Sequence, residues 1–163
     1  MTPSEDMRKF SLIIESVEFK NGVYCCCNPS QETKDAIKSF CAAYDVPNPL
    51  AAKDLHCTLI YSDKVDQDFE CISTYDKPLE AKFKGFDLFG EDKNTLVILL
   101  DSPDLQARHK ELMDKYDLNY SWDDYAPHVS LSYDAKDFDI SKLDDYNGAL
   151  MFVGEEDSDL DTD

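Results

Sequence analysis

The apolar positions of the chain fall into short runs, and two of these runs predict buried strands. Val23–Cys27 is an apolar run between Gly22 and Pro29, and Thr95–Leu99 is a similar run 72 residues later. Short apolar runs bounded by chain breakers are typical of strands that are buried on both faces. The repeated spacing indicates that the chain contains two copies of one structural unit.

A helix is predicted directly after each of these strands. Ser30 and Ser102 are suitable N-cap residues, and Pro103 suits the first helical position. Apolar side chains then recur at helical spacing along Gln31–Tyr44 and along Pro103–Tyr116. Each unit therefore continues from a strand into an amphipathic helix.

The clearest repeat is a pair of strands that begin with histidine. His56–Tyr61 reads His-Cys-Thr-Leu-Ile-Tyr and His128–Tyr133 reads His-Val-Ser-Leu-Ser-Tyr, at the same 72-residue offset. Further strands are predicted at Leu79–Phe89 and Gly148–Gly154. Two strand–helix–strand units predict an α+β fold with two lobes, related by a pseudo-twofold axis, around a central cleft.

The chain is predicted to be a single domain over residues 1–163, which is an ordinary length for one hydrophobic core. Lobe 1 is expected to span about residues 20–78, and lobe 2 about residues 79–154. The terminal segments 1–9 and 155–163 are expected to be mobile, because they are polar and lie outside the predicted elements.

The charge balance restricts the class of ligand. The chain has 35 Asp and Glu residues against 16 Lys and Arg residues, a formal net charge of −19. Binding to long nucleic acid depends on clustered basic side chains that neutralise phosphates. The composition therefore argues against a duplex or a long RNA, but it is compatible with a small nucleotide held by a few local donors.

The composition also bears on compartment and metal content. No apolar run approaches the roughly 20 residues that span a bilayer, and Met1–Lys9 does not resemble a signal peptide. A cytoplasmic protein without a membrane partner is therefore expected. The six cysteines include the consecutive Cys25–Cys27 but no Cys-x-x-Cys pair, which argues against structural zinc and favours reduced thiols packed as small apolar residues.

Each motif histidine is followed two residues later by a hydroxyl side chain. Because side chains alternate along a strand, the histidine and the hydroxyl should share one face, which points away from the core. The predicted polar faces hold His56, Thr58 and Ile60 in one strand and His128, Ser130 and Ser132 in the other. The predicted core faces hold Cys57, Leu59 and Tyr61, and Val129, Leu131 and Tyr133.

Two such pairs across a cleft supply what cleavage of a ribose-flanked phosphodiester needs. One of His56 and His128 can remove the proton of a 2′-hydroxyl, which attacks phosphorus, while the other protonates the departing 5′-oxygen. Thr58 and Ser130 can donate hydrogen bonds to the non-bridging oxygens. No metal or cofactor is expected; a zinc site made from the two histidines and a carboxylate has no supporting pattern. His109, on a predicted helix face, is expected to pack or to hydrogen-bond.

These residues resemble a known superfamily. His56–Leu59 and His128–Leu131 are similar to the paired His-x-Ser/Thr-hydrophobic motifs of the 2H phosphoesterases (LigT-like), which implies a bilobal α+β fold with both motifs lining the cleft. Within the superfamily the chain resembles the phage anti-CBASS nucleases, in the stretches Asn48-Pro49, Leu55–Ser62, Gly85–Asp87, Arg108–Asp114 and Tyr125–Asp134. The resemblance implies hydrolysis of 3′,5′ linkages in cyclic di- and trinucleotide messengers such as 3′3′-cyclic GMP-AMP. The implied product is a linear 3′-phosphate, formed through a 2′,3′-cyclic phosphate.

Candidate substrate contacts follow from the need of a nucleotide for stacking surfaces and polar base contacts. Burial in the core is the alternative role of each aromatic candidate, and a solvated acidic tail is the alternative role of the glutamates. The candidates are Tyr24, Phe89, Trp122, Tyr125, Glu155 and Glu156.

Two other functions compete with messenger cleavage. The same chemistry can open 2′,3′-cyclic phosphates at RNA or tRNA ends, although a surface this acidic should repel polyanionic RNA. A small acidic protein can also act without catalysis, as a nucleic-acid mimic or a nucleotide sponge. Such a protein would not need duplicated histidine and hydroxyl pairs. The expected partner is a small cyclic oligonucleotide, with no obligatory protein partner.

Overall fold

The computed structural model describes residues 18–120 and 124–160 of the chain. Trp122, a predicted substrate contact, and the segment 1–9, predicted to be mobile, lie outside the described residues, as do residues 161–163. The strands are β1 (Val23–Pro29), β2 (Cys57–Ser62), β3 (Leu79–Glu80), β4 (Lys82–Phe89), β5 (Thr95–Asp101), β6 (His128–Ser132) and β7 (Met151–Ser158). The helices are α1 (Gln31–Ala43) and α2 (Pro103–Lys115), and short 3-10 turns occur at Ala52–Asp54 and Ile140–Lys142.

The strands form two antiparallel sheets, in the orders β2-β1-β7-β3 and β4-β5-β6. Each sheet contains one apolar strand that leads into a helix and one strand of a histidine motif. The Ser30 side chain caps α1 by accepting from the Thr33 amide, and the Ser102 side chain caps α2 by accepting from the Leu105 amide. The predicted bilobal α+β architecture and both predicted N-caps are confirmed.

The last strand departs from the predicted lobe boundaries. β7 pairs with β1 in the first sheet, with Cys27 opposite Glu155, and it continues to Ser158. The prediction that lobe 2 extends to residue 154 is therefore wrong for residues 151–154, which belong to the sheet of lobe 1. The prediction of a mobile tail from residue 155 is wrong for residues 155–158, which continue the same strand. The cause lies in β1, which is almost entirely buried and has β2 along one edge. A strand along its other edge is needed to satisfy its remaining backbone groups.

A β-bulge interrupts β2 directly after the hydroxyl residue of its motif. Cys25 lies opposite Ile60, but Cys26 lies opposite Thr58, so Leu59 is the extra residue of the pairing. A bulge of this kind shifts the alternation of side chains by one position. The faces predicted for the motif therefore hold only as far as the bulge.

An equivalent bulge at Leu131 interrupts β6, where the pairing with β5 shifts in the same way. As a result, Ile60 and Ser132 are fully buried, whereas Tyr61 and Tyr133 are 36% and 52% exposed. The predicted faces of these four residues are wrong, because strict alternation does not survive the extra residue. The predicted faces of the histidine and hydroxyl residues are unaffected.

The core lies between the sheets and the helices. Its fully buried side chains include Ile37 and Leu105, one from each helix, and Phe152 from β7. All six cysteines are free thiols, and five of them are buried. No helix among the described residues has both the length and the apolar character needed to cross a membrane.

Candidate active site

Both motif histidines are held by the same backbone contact. The Nδ1 atom of His56 lies 2.8 Å from the carbonyl oxygen of Asp54, and that of His128 lies 2.9 Å from the carbonyl oxygen of Ala126. A carbonyl oxygen only accepts hydrogen bonds, so each Nδ1 carries a proton in this network. Each Nε2 is then left to exchange a proton with a ligand.

The two lobes enclose a cleft made of two adjoining hollows that share Tyr24. One hollow, of about 430 Å³, is lined by His56 and by Tyr133 from the opposite lobe. The other, of about 620 Å³, is lined by Thr58 of β2 and by His128 of β6. Residues of both motifs therefore face one shared space.

Ser130, the fourth motif residue, does not itself line either hollow. Ser130 is half-buried and is absent from the described lining of the two hollows. Burial raises the pKa of Tyr133, and a hydrogen bond with the Ser130 side chain partly offsets that effect. Ser130 therefore contacts a side chain that lines the hollow next to His56.

The surroundings of His128 favour its neutral form. Burial lowers the pKa of His128, the charge of His56 lowers it further, and the bond to Ala126 opposes both effects. The ring of Phe89 meets the imidazole edge-on, with 4.9 Å between centroids. A neutral His128 at neutral pH presents an Nε2 lone pair to the cleft.

Two of the predicted aromatic substrate contacts line the cleft. The Tyr24 hydroxyl lies 3.1 Å from Thr58 Oγ1, and its ring lies edge-on to His56 at 6.3 Å. Burial raises the pKa of Tyr24, so the hydroxyl stays protonated at neutral pH. Phe89 lines the larger hollow beside His128. Both residues are in position to contact a ligand.

The two predicted glutamates point to opposite sides of β7. Glu156 lines the smaller hollow and accepts a hydrogen bond from Asn28 Nδ2 at 3.1 Å. Glu155 is 2% exposed and accepts from Arg108 Nε at 2.7 Å and from the Ile72 amide at 2.9 Å. The prediction that Glu155 contacts substrate is wrong, because strand alternation turns it into the core, where an ion pair satisfies it.

Tyr125 lies outside the two hollows and instead lines a third one, of about 260 Å³, together with Gln106 of α2. The described lining of the two hollows does not include it, and its hydroxyl donates to the Thr58 carbonyl at 2.7 Å. Its ring stacks on His109, with 4.2 Å between centroids and 6° between planes. The prediction that Tyr125 contacts substrate is therefore wrong. Its hydroxyl is used instead in a hydrogen bond to the backbone of β2. His109 bonds the Leu59 carbonyl at 2.7 Å, which confirms its predicted hydrogen-bonding role.

Tyr61 and Tyr133 were assigned to the core from sequence, but they line the cleft. Tyr61 lies in the hollow that contains His128, and Tyr133 lies in the hollow that contains His56. The repeat contained a signal for them, because both motifs place a tyrosine five residues after the histidine. Among the described residues, no group of three or more His, Cys, Asp or Glu side chains is arranged to hold a metal ion.

Comparison with known proteins identifies the family. The family model described as anti-CBASS protein Acb1 matches residues 21–163. The chain belongs to the Acb1 anti-CBASS family. It is 32% identical over 122 residues to the anti-CBASS protein Acb1 of Escherichia phage RB16, a match that covers 74% of this chain and 68% of the relative. It is 28% identical over 121 residues to the Acb1 protein of Enterobacteria phage T4, covering 74% and 78%.

The fold of this Acb1 family member is shared with a solved 2H phosphoesterase. Escherichia coli LigT, solved in complex with ATP, superimposes with a TM-score of 0.53 at 13% identity, over 86% of this chain and 87% of LigT. The superfamily resemblance predicted from the two histidine motifs is confirmed at the level of the fold.

Proposed function

We propose that this chain is a phosphodiesterase that cleaves the 3′,5′ linkages of cyclic di- and trinucleotide messengers, such as 3′3′-cyclic GMP-AMP, and so blocks CBASS immunity. The observation that carries the proposal is the pair of imidazoles, each with Nδ1 held by a backbone carbonyl and Nε2 free, in adjoining hollows of one cleft. Membership of the anti-CBASS family supports a messenger as substrate.

The lowered pKa of His128 suits the role of general base in the first step. His128 Nε2 takes the proton of the 2′-hydroxyl, the 2′-oxygen attacks phosphorus, and the bond to the 5′-oxygen breaks. Protonated His56 gives its Nε2 proton to that leaving oxygen. The product of this step is a 2′,3′-cyclic phosphate, which leaves His128 protonated and His56 neutral.

The second step runs the two roles in reverse. His56 removes a proton from water, and the hydroxide oxygen attacks phosphorus. The bond to the 2′-oxygen breaks, and His128 returns its proton to that oxygen. The linear product carries a 3′-phosphate, and both imidazoles recover their starting protonation states.

The hydroxyl residues stabilise the charge that develops on the phosphate. Thr58 lines the same hollow as His128, so its hydroxyl is placed to donate to a non-bridging oxygen. Tyr24, 3.1 Å from Thr58 Oγ1, holds that hydroxyl in place. Ser130 is proposed to act in the same way on the other side of the phosphate, with Tyr133 as its neighbour.

The remaining cleft residues suit the bases of a nucleotide. Tyr24, Tyr61, Phe89 and Tyr133 offer aromatic surfaces in the two hollows, and stacking of a base on such a surface contributes about 1–3 kcal/mol. Glu156 is placed to accept a hydrogen bond from the amino group of a base. Two hollows on either side of Tyr24 favour a ligand that presents two bases.

The test is product analysis by mass after incubation with 3′3′-cyclic GMP-AMP. We expect a linear 3′-phosphate product, unchanged activity in EDTA, and resistance of the analogue that lacks the 2′-hydroxyl at the cleaved nucleotide. An RNA fragment that ends in a 2′,3′-cyclic phosphate serves as the competing substrate. Faster opening of that RNA would favour the RNA-end function. Recovery of intact messenger would favour a non-catalytic binder.

A further inference from the structure

The bulge in β2 is held by side chains from the other lobe. The Tyr125 hydroxyl donates to the Thr58 carbonyl at 2.7 Å, and His109 Nδ1 bonds the Leu59 carbonyl at 2.7 Å. An extra residue in a strand disrupts the ladder locally, so backbone groups at the bulge need partners from elsewhere. Lobe 2 supplies these partners to the carbonyls of Thr58, which bears the candidate catalytic hydroxyl, and of Leu59, the extra residue of the bulge.

The two donors pack against each other and against Tyr120. The rings of His109 and Tyr125 stack at 4.2 Å, and the Tyr120 ring packs edge-on against His109 at 4.8 Å. Gln106 Nε2 donates to the Tyr125 carbonyl at 2.9 Å, which ties Tyr125 to α2. Burial raises the pKa of Tyr125 and lowers the pKa of His109. Tyr125 therefore remains a hydroxyl donor and His109 a neutral one.

The next part of the same lobe contacts the end of β2. Asn119 Oδ1 accepts from Ser62 Oγ at 3.0 Å and from the Asp63 amide at 3.0 Å. The segment that precedes His128 therefore contacts β2 at two places. Tyr125 contacts it at the bulge, and Asn119 contacts it at its final residue, Ser62. These contacts matter because β2 and β6 belong to different sheets.

We propose that Tyr125 and His109 are positioning residues that fix the Thr58 hydroxyl relative to His128, by clamping the β2 bulge against lobe 2. This inference rests on the proposed function. Thr58 and His128 line one hollow but come from separate sheets, so their separation depends on contacts between the lobes. A displacement of about 1 Å in such a pair can lower turnover by roughly 100-fold.

The first test compares two half-buried tyrosines whose hydroxyls each make a hydrogen bond to the backbone. Tyr125→Phe removes the donor to Thr58, whereas the control Tyr116→Phe removes an acceptor for the Glu70 amide, 3.2 Å away and outside the cleft. We expect Tyr125→Phe to lower kcat at least about 10-fold with KM within about twofold. Tyr116→Phe should leave both constants within about twofold.

The second test asks whether turnover depends on the hydrogen bond that His109 donates to the Leu59 carbonyl. Asn at this position keeps an N–H group near the place of Nδ1, whereas Leu has a similar size and no donor. His109→Asn should therefore retain several-fold more of the wild-type kcat than His109→Leu. Equal losses in the two variants would mean that the stacked ring, not the bond to Leu59, supports the site.

The outcomes separate this inference from the proposed function. If wild-type protein does not cleave the messenger, the proposed function fails, and the clamp is judged by amide hydrogen exchange alone. Loss of the Tyr125 hydroxyl should then speed exchange across Cys57–Tyr61, whereas Tyr116→Phe should not. Unchanged exchange there would overturn the clamp. An unchanged kcat in Tyr125→Phe, or an equal loss of kcat in Tyr116→Phe, would do so as well.

Discussion

The two histidine strands, β2 and β6, share one backbone device. In each, a carbonyl two residues upstream holds the Nδ1 of the histidine. A hydroxyl follows two residues after the histidine, and a leucine bulge comes next, at Leu59 or Leu131. Both bulges then turn a tyrosine toward the cleft. The histidine ends of the two strands are therefore built by local chain geometry that the duplication repeats.

The surroundings of the two strands differ. His128 has its pKa lowered by burial, and Phe89 covers its edge. The bulge carbonyls of β2 accept from the side chains of the stacked pair Tyr125 and His109, whereas the bulge carbonyl of β6, at Leu131, accepts from the backbone amide of Leu50 at 2.8 Å. A symmetric backbone thus supplies two imidazoles, while the packing around one of them, His128, lowers its pKa by burial.

The largest expected effect comes from removing either imidazole. His56→Ala and His128→Ala should each lower kcat about 1,000-fold, because general acid and base catalysis contribute on the order of 10²–10⁴ each. Messenger affinity should change by only a few-fold. The double variant should be little slower than either single variant, because the two groups act as one unit. Cleavage measured by chromatography and binding measured by calorimetry check these expectations.

A matched control for this prediction is Ile72→Ala. Ile72 is 43% exposed and lies outside the described lining of both hollows, so turnover should stay at the wild-type level. If one histidine variant retained more than about a tenth of wild-type kcat, the two strands would not form an acid–base pair. The proposed mechanism would then be wrong, whereas the fold comparison would stand.

The sequence predicted those parts of the fold that depend on local pattern. Each helix and its serine cap follow from residues within one turn of one another, as at Ser30 and Ser102. The histidine and hydroxyl residues share a face because they are two positions apart on a strand. The repeat then indicated that the two motifs face each other. Period and spacing were sufficient for these features.

The parts that could not be predicted depend on pairing between distant segments. Whether a strand is bulged is a property of its register with a neighbour, so Tyr61 and Tyr133 were placed in the core. The partner of β7 is equally non-local. Glu155 looks like a tail residue until Arg108, 47 positions away, is seen to pair with it. A run of acidic residues contains no signal that separates Glu155 from Glu156.

These adjacent glutamates provide the next prediction, with a smaller effect. Glu155 is fully buried against Arg108, so Glu155→Gln should lower the free energy of unfolding by about 3 kcal/mol, because Arg108 then keeps only its ion pair with the exposed Glu111. Glu156→Gln should change it by less than about 0.5 kcal/mol and instead raise KM. Urea unfolding and steady-state kinetics separate the two. Equal stability losses would contradict the assignment of the two side chains to opposite faces of β7.

The smallest expected effect concerns the protonation difference between the two strands. Burial disfavours the charged form of His128, so its pKa lies below the ordinary value of 6.5 and the base remains neutral to lower pH. Phe89→Ala exposes the imidazole to water, which should raise that pKa toward 6.5. The acidic limb of kcat/KM should then also move to higher pH. Phe89→Leu, which keeps an apolar cover, should move it less. NMR titration of His128 checks the shift directly, and a downward shift in Phe89→Ala would show that packing by Phe89 is not what keeps this imidazole neutral.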